Sequence, residues 1–375
     1  MERTGIMHVI DGLGSGGAER MVVNLVNALP RDRFRPLLCT SRFDGPLAAN
    51  LKPDVVWLRL NRRHRVDVSA ILRLSRFITE HEVRIVHAHS TSLFLALAVR
   101  AINRRIAVVW HDHYGPPAGL RRNRLVYGPA ARRADAVITV SETLSEWINR
   151  SLDVPSCRIR YIPNFLYRTE SSAPVANLPG ESGARIVCVA RMRPEKDLIT
   201  LIRSLQIVTR DIPRAHLLLI GPPSDSHYQQ ALEDEIRCLV LGQNITWLGE
   251  RCDVQAILPQ CDIGVLSSAS EGFPVVLLEY GAAHLPVVST NVGQCAEILN
   301  YGKDGRLVPP ADPAALAEAI TRLLTSERDR RRLGDRLALR VQERYSAEAI
   351  LSSIDKVYAE VLHEQSAEQL TCANN

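Results

Sequence analysis

Glu271 and Glu279 flank seven residues in the run Ser267-Ser-Ala-Ser-Glu-Gly-Phe-Pro-Val-Val-Leu-Leu-Glu279, which joins a Gly-Pro turn to an apolar stretch of helical character. Pro274 suits the first turn of a helix, where its missing N–H costs nothing, so the N–H groups of Val275 to Leu277 point towards an anion. Glu271 then hangs on the loop at the helix mouth, and Glu279 follows about 7 Å further along the axis at a rise of 1.5 Å per residue. The carboxylates bracket a phosphate site. A ligand with a diphosphate in the middle and hydroxyls at both ends, such as a nucleotide sugar, uses all three features. The competing reading is a capped core helix with one solvent-facing Glu.

Arg191 and Lys196, in Val189-Ala-Arg-Met-Arg-Pro-Glu-Lys196, place two cations on one loop between a strand and a helix. A leaving diphosphate needs such neutralisation when no metal supplies it. The chain contains no Asp-x-Asp pair. Fixed cations plus a helix N-terminus therefore replace a metal as the expected electrophilic device, and no metal or cofactor is expected. His87 and His89 end one strand, His111 and His113 another, and His113, just beyond the buried-looking Ala107-Val-Val-Trp110, is the one expected to face a ligand. Gly12-Leu-Gly-Ser-Gly-Gly17 matches GxGxxG through Gly12, Gly14 and Gly17. A dinucleotide site also asks for an acidic residue at the end of the second strand. That end reads Cys39-Thr-Ser-Arg42, so only an NADP reading through Arg42 survives; more simply, the glycines let backbone N–H groups approach a phosphate or sugar.

These residues need a scaffold of strands with loops at one end. At 375 residues the chain exceeds what one hydrophobic core usually organises. Short β-branched runs alternate with helical-length segments, the pattern of α/β domains with doubly wound parallel sheets. Strands are expected at 7–10, 36–40, 55–58, 85–87, 107–110, 136–140 and 159–162, and again at 186–190, 216–220, 245–248, 263–266, 287–289 and 306–308. The aperiodic, turn-rich stretch 167–183 is the expected linker. Ser346 resembles an N-cap before a helix over 347–363 whose stripe is Ile350, Leu351, Ile354, Val357, Tyr358 and Val361. The organisation expected is a first domain over 1–170, a second over 171–345, and a closing helix and tail over 346–375. Two doubly wound sheets imply a cleft outside the carboxyl ends of their strands, where the candidate residues fall.

Hydrophobic residues make up 46% and charged residues 23%, as in soluble globular proteins, and no apolar run approaches the length of a membrane span. The N-terminus lacks a signal-peptide core, so a cytoplasmic protein is expected. The eight cysteines show neither CxxC pairs nor zinc-site spacing and read as small buried hydrophobes of a reducing compartment. Charge is uneven. Residues 1–170 hold 26 Lys and Arg against 15 Asp and Glu, whereas the remainder holds 20 against 26. The arginines interleave with Leu120, Leu125, Val126 and Tyr127 over 119–133, a mixture suited to an anionic membrane surface or a phosphate-bearing acceptor, or to a solvated basic face. Nucleic acid is not an expected partner, because aromatics are only 5% and no helix-turn-helix, OB or RRM context surrounds the arginines.

Assembled, the chain resembles a family-4 glycosyltransferase of the glycosyl transferases group 1, a retaining, nucleotide-sugar-dependent enzyme of the GT-B fold. The resemblance spans residues 6–362 and rests on Gly16-Gly-Ala-Glu19, His113, Ile162-Pro-Asn164, Arg191 with Lys196, Leu248-Gly249, the Glu271 to Glu279 segment and the run 287–297. It implies two Rossmann-like domains facing across a cleft, with the last helix crossing back to the first. It implies that Glu279 binds the ribose, and that Glu271 with Gly272, Phe273, Pro274 and Val275 holds the sugar and its phosphate. Arg191 and Lys196 stabilise the departing diphosphate, Gly249 adjoins the donor, and His113 with the Gly16 and Gly17 loop contacts donor sugar and acceptor. The implied reaction moves a hexose-type sugar from a UDP- or GDP-sugar to a glycan, with a lipid-linked acceptor of surface polysaccharide assembly at the inner face of the membrane. A non-catalytic sugar-nucleotide or glycan-binding subunit on the same fold is the alternative. Phe165-Leu166, Tyr280, His284 and Gln294 depart from the common pattern and are expected near the donor, where they bear on its identity.

Overall fold

Runs of Val, Ile and Leu bounded by Gly, Pro and Asp recur along the chain, and each becomes a strand, the central ones buried on both faces and the edge strands Val56–Arg59, Ile159–Tyr161 and Ile245–Gly249 only partly covered. The computed structural model describes residues 3–373, apart from 15, 65, 114–122, 168–176, 223–225 and 252. The first unit, residues 1–167 with 347–375, holds β1 (Thr4–Ile10), β2 (Phe34–Thr40), β3 (Val56–Arg59), β4 (Val83–His89), β5 (Ala107–Asp112), β6 (Ala136–Thr139) and β7 (Ile159–Tyr161). The second, residues 168–346, holds β8 (Arg185–Val189), β9 (His216–Ile220), β10 (Ile245–Gly249), β11 (Ile263–Leu266), β12 (Val287–Thr290) and β13 (Arg306–Val308). Every expected strand forms. β1 and β4 run longer than expected because Thr4 still pairs with Phe34, and His89 with His111.

Both sheets are parallel throughout, in the orders β3-β2-β1-β4-β5-β6-β7 and β10-β9-β8-β11-β12-β13. The winding direction reverses between β1 and β4 in one unit and between β8 and β11 in the other. Such switch points open a crevice at the carboxyl ends of the two strands, and the candidate residues follow β1, β5, β8 and β11.

The first core joins Ile6, Ile85, Val109 and Ile138 to Met21 and Leu25 of the helix Gly17–Ala28. Ile350, Ile354, Val357, Tyr358 and Val361 complete it. These lie on the helix Ala347–Ala373, so the last element belongs to the first unit. Each such side chain contributes about 1.5–3 kcal/mol on burial. The helix continues ten residues past the expected end at 363, because Glu, Gln, Ala and Leu favour helix even without an apolar stripe. The second core gathers Ile186, Leu217, Leu219, Ile263, Val265 and Val288 against the helices Leu198–Asp211 and Pro313–Leu324.

Much of the expected linker lies outside the described residues; its last part turns through Asn177, Gly180 and Gly183, all at positive φ. Cys39, Cys188, Cys261 and Cys295 are buried as expected, whereas Cys157, in the turn Ser156–Arg158, and Cys238, at the end of the helix Ser226–Cys238, are exposed. Among the described residues no helix is long and apolar enough to cross a membrane.

Candidate functional site

In the second unit, the loops after β8 and β11 are sewn together by their backbones. Ala269 N–H donates to Glu195 O at 2.9 Å, and Ser267 Oγ donates to Lys196 O at the same distance. This brings Lys196 Nζ to 2.5 Å from Glu271 Oε1, while Ser268 Oγ donates to the same oxygen at 2.6 Å. The Glu271 side chain is only 9% exposed and that of Lys196 23%, so the pair is shielded and charge-assisted. From the β12 side, Thr290 Oγ1 donates to Ser268 O at 2.7 Å and Gln294 N–H to Gly272 O at 3.1 Å. Gly293 is at φ +52°, and a Cβ there would lie 2.2 Å from Glu271 O, so only glycine lets the chain pass so close to the carboxylate's backbone. Arg191 stands half-buried on the same loop as Lys196, whose end is held by Asp197 capping Thr200 N–H at 3.3 Å.

The helix after Glu271 is Val275–Ala282, with Pro274 as its N-cap rather than its first residue. One consequence departs from expectation. Leu277 N–H donates to Pro274 O at 3.1 Å, so of the three expected anion-facing amides only those of Val275 and Val276 precede the internal ladder. Phe273 is buried edge-on to Tyr345 with ring centroids 5.8 Å apart, and Glu279 lies half-buried on the second turn. Gly249 closes β10 at φ +69° and its carbonyl accepts from Gly221 N–H at 2.8 Å.

Two of the departures from the family pattern have structural roles instead of facing a ligand. Tyr280 is fully buried; its ring fills the space above Gly264, and its hydroxyl takes the Val189 N–H at 2.9 Å. His284 is exposed and bonds Asp335 at 2.9 Å. Gln294 fixes the Glu271 loop through its backbone N–H. Phe165 is buried in the first core, where its carbonyl accepts from Asn24 Nδ2 at 2.9 Å.

In the first unit Gly16 caps the helix Gly17–Ala28 without a side chain, accepting from Arg20 N–H at 2.9 Å. Arg42, on which an NADP reading depends, faces Asp11 at 3.6 Å. Asp11 also accepts from Ser41 Oγ at 2.6 Å and Thr91 Oγ1 at 2.7 Å.

His113 proves to be one of five. Alternation along β1, β4 and β5 puts Ile6, Ile85 and Val109 on one face, and the same face continues towards the carboxyl ends as His8, His87, His89, His111 and His113. His8 Nδ1 lies 3.1 Å from His89 Nε2, and His89 Nδ1 lies 2.9 Å from His113 Nε2. His87 Nε2 lies 3.2 Å from His111 Nδ1, and His87 Nδ1 lies 2.6 Å from the Tyr358 hydroxyl. Burial disfavours the imidazolium. It lowers His8 and His113 to about 3 and the other three well below their ordinary value, the Asn164 side chain beside His113 offsetting only part of this. His8, His87 and His89 could close on a metal ion, as could His89, His111 and His113. His8 escapes sequence reading because a lone strand histidine looks like any core polar residue. The signal that reveals it is the shared parity of His8, His87-x-His89 and His111-x-His113 at the ends of neighbouring strands.

Two family models divide the chain between them: residues 15–167 match Glycosyltransferase Family 4 and residues 173–338 match Glycosyl transferases group 1. An exopolysaccharide phosphotransferase of Streptomyces coelicolor is 28% identical across 79% of this chain, a match that spans only 30% of that protein's length. The N-acetyl-alpha-D-glucosaminyl L-malate synthase of Bacillus anthracis is 24% identical across 80% of both chains. Among solved structures, HepE of Anabaena in complex with UDP-glucose shares the fold with a TM-score of 0.80 at 20% identity, covering 96% of this chain and 100% of its own. Thirteen parallel strands among the described residues, in two sheets each with its own switch point, together with the two family matches, make this chain a GT-B glycosyltransferase belonging to family 4 of the glycosyl transferases group 1.

Proposed function

We propose that the protein is a retaining enzyme that moves a hexose from a UDP- or GDP-linked sugar to a hydroxyl of a glycan acceptor. The observation that carries this reading is the shielded Lys196 to Glu271 contact at 2.5 Å, beside Arg191 and ahead of the helix Val275–Ala282. Arg191 and Lys196 neutralise the leaving diphosphate with no metal. Glu271 and the first-turn amides hold the sugar and its phosphate, Glu279 takes the ribose hydroxyls, and His113 with the Gly16 and Gly17 loop contacts the transferred sugar from the first unit. The acceptor oxygen bonds to the anomeric carbon on the face from which the diphosphate oxygen leaves with the bonding pair, and the hydroxyl proton passes to that departing oxygen. UDP-glucose bound to HepE and the glucosaminyl product named for the Bacillus anthracis relative support a nucleotide-activated hexose.

The acceptor is a lipid-linked glycan of surface polysaccharide assembly, met at the inner face of the plasma membrane by an otherwise cytoplasmic protein. Leu125 and Val126 support that placement: they are 86% and 51% exposed beside Arg124 on the helix Arg124–Ala131, the described part of the basic segment. The test is transfer measured with a panel of UDP- and GDP-sugars. Lys196→Ala and Glu271→Gln should each lower kcat by about 10²–10³, the scale for losing one electrostatic contact to the transition state, measured on protein shown to be folded. Turnover at the wild-type rate in either variant overturns the assignment, as does an inverted anomeric centre in the product. EDTA should leave the rate unaltered.

A further inference from the structure

The five histidines form two layers. In one, His8, His89 and His113 lie edge to edge, with successive rings inclined by only 22° and 16°. In the other, His87 and His111 lie edge to edge at 25°, with Tyr358 at the far end of the row. The layers stack face to face, His87 on His89 at 4.5 Å and His111 on His113 at 4.1 Å. Nitrogens 2.9–3.1 Å apart on nearly coplanar rings share one proton on the line between them. Two zinc ligands, each about 2.0–2.1 Å from the ion, must instead aim at a point off that line, which requires the rings to be turned out of their stack. The arrangement is that of a hydrogen-bonded row.

A neutral imidazole has one donor and one acceptor, so fixing one end of a row fixes all of it. The inner end is His8 Nε2, wholly buried and without a partner among the described residues. Buried donors left unmatched are rarer than unmatched acceptors, so this nitrogen is the bare one and the His8 proton sits on Nδ1. It is donated to His89 Nε2, the His89 proton on Nδ1 is donated to His113 Nε2, and His113 must carry its own proton on Nδ1. Asn164 Oδ1, buried beside the His113 ring and otherwise unmatched among the described residues, is the acceptor placed for that proton, whereas among those residues no such acceptor stands at the His8 end.

We propose that His8 and His89 are positioning residues that hold His113 as the Nδ1–H tautomer, its proton turned to Asn164 Oδ1, and so fix the ring that meets the transferred sugar. The sugar contact rests on the function proposed above; the tautomer does not.

The experiment combines two-bond nitrogen–proton correlation spectra of the full chain, labelled with 15N-histidine, with transfer kinetics. In the wild type the His113 signal should show protonated Nδ1 and bare Nε2. His89→Gln keeps an amide near the Nε2 position and loses the link to His113; it should free His113 to the Nε2–H form and lower kcat at least tenfold with KM for the donor within threefold. His89→Asn, whose amide sits near the Nδ1 position, should restore the tautomer and most of kcat. His8→Phe, which keeps a ring in place and removes the first donor, should act like His89→Gln. An Nε2–H His113 in the folded wild type overturns the proposal, as does an unchanged kcat in His89→Gln. Wild-type turnover by His113→Ala, with the Nδ1–H form confirmed in the parent protein, instead overturns the sugar contact alone.

Discussion

Lys196 and Glu271 satisfy each other across a gap that admits no water, so either one left alone would be a shielded charge without its partner. Substituting them therefore tests stability as well as transfer, and Glu271→Gln, which keeps the acceptor oxygen for Ser268, is the gentler probe. Tyr280 carries a different load. Its hydroxyl is the acceptor for Val189 N–H at the end of β8, so Tyr280→Phe leaves that amide unmatched and should cost about 1–3 kcal/mol in urea unfolding. An unchanged midpoint would show that the amide finds another partner. The placement of Arg191, Lys196 and Glu271 on loops after apolar strands, and of Glu279 on the helix that follows, was legible in the sequence because charged groups break off the apolar runs where the strands end. Tyr280 was not, because an aromatic on an apolar helix carries no mark of where its hydroxyl goes; the answer lies in Gly264, sixteen positions earlier, whose missing side chain makes room for the ring.

At the scale of elements, the strands were legible nearly to their ends because parallel strands covered on both faces read as unbroken apolar runs. Their order in the sheets was not written in any one segment; it follows from right-handed crossovers and short connections. The helix carrying Glu279 depends on a close approach that periodicity does not disclose. Gly281 meets Val341 and Leu337 of the helix Glu327–Arg344, and a Cβ on Gly334 of that helix would stand 2.0 Å from His284 O. Gly334→Ala must push the two helices apart. Overpacking of this kind costs about 1–3 kcal/mol, and by tilting the Glu279 helix it should also weaken UDP binding, both measurable by thermal shift with and without UDP. A variant with the parental midpoint and the parental shift would show that the helices have slack.

At the scale of the whole molecule, the buried histidines make folding sensitive to acid. Each is held neutral when folded, while an unfolded histidine titrates near 6.5. Below that value the unfolded chain binds protons that the folded chain refuses, so stability is intact above about 6.5 and falls as pH drops towards about 3, where His8 and His113 accept theirs. Each histidine contributes a slope of about 1.4 kcal/mol per pH unit, and a few acting together rival the whole stability of an ordinary domain. The urea midpoint of the first unit should therefore fall steeply between pH 6.5 and 5, and His8→Phe should flatten the fall; a level profile over that range would contradict the burial of the cluster. The closing helix adds a condition of time. Its Tyr358 and Ile354 cover the face of β4 and β5 that carries Ile85, Val109 and the histidines, yet residues 168–346 are synthesised in between. At about 5–20 residues per second, the first unit waits roughly ten seconds or more with that face uncovered after its last strand has left the ribosome. The unit begun first is finished last, and during that interval its open apolar face is what a chaperone would have to hold.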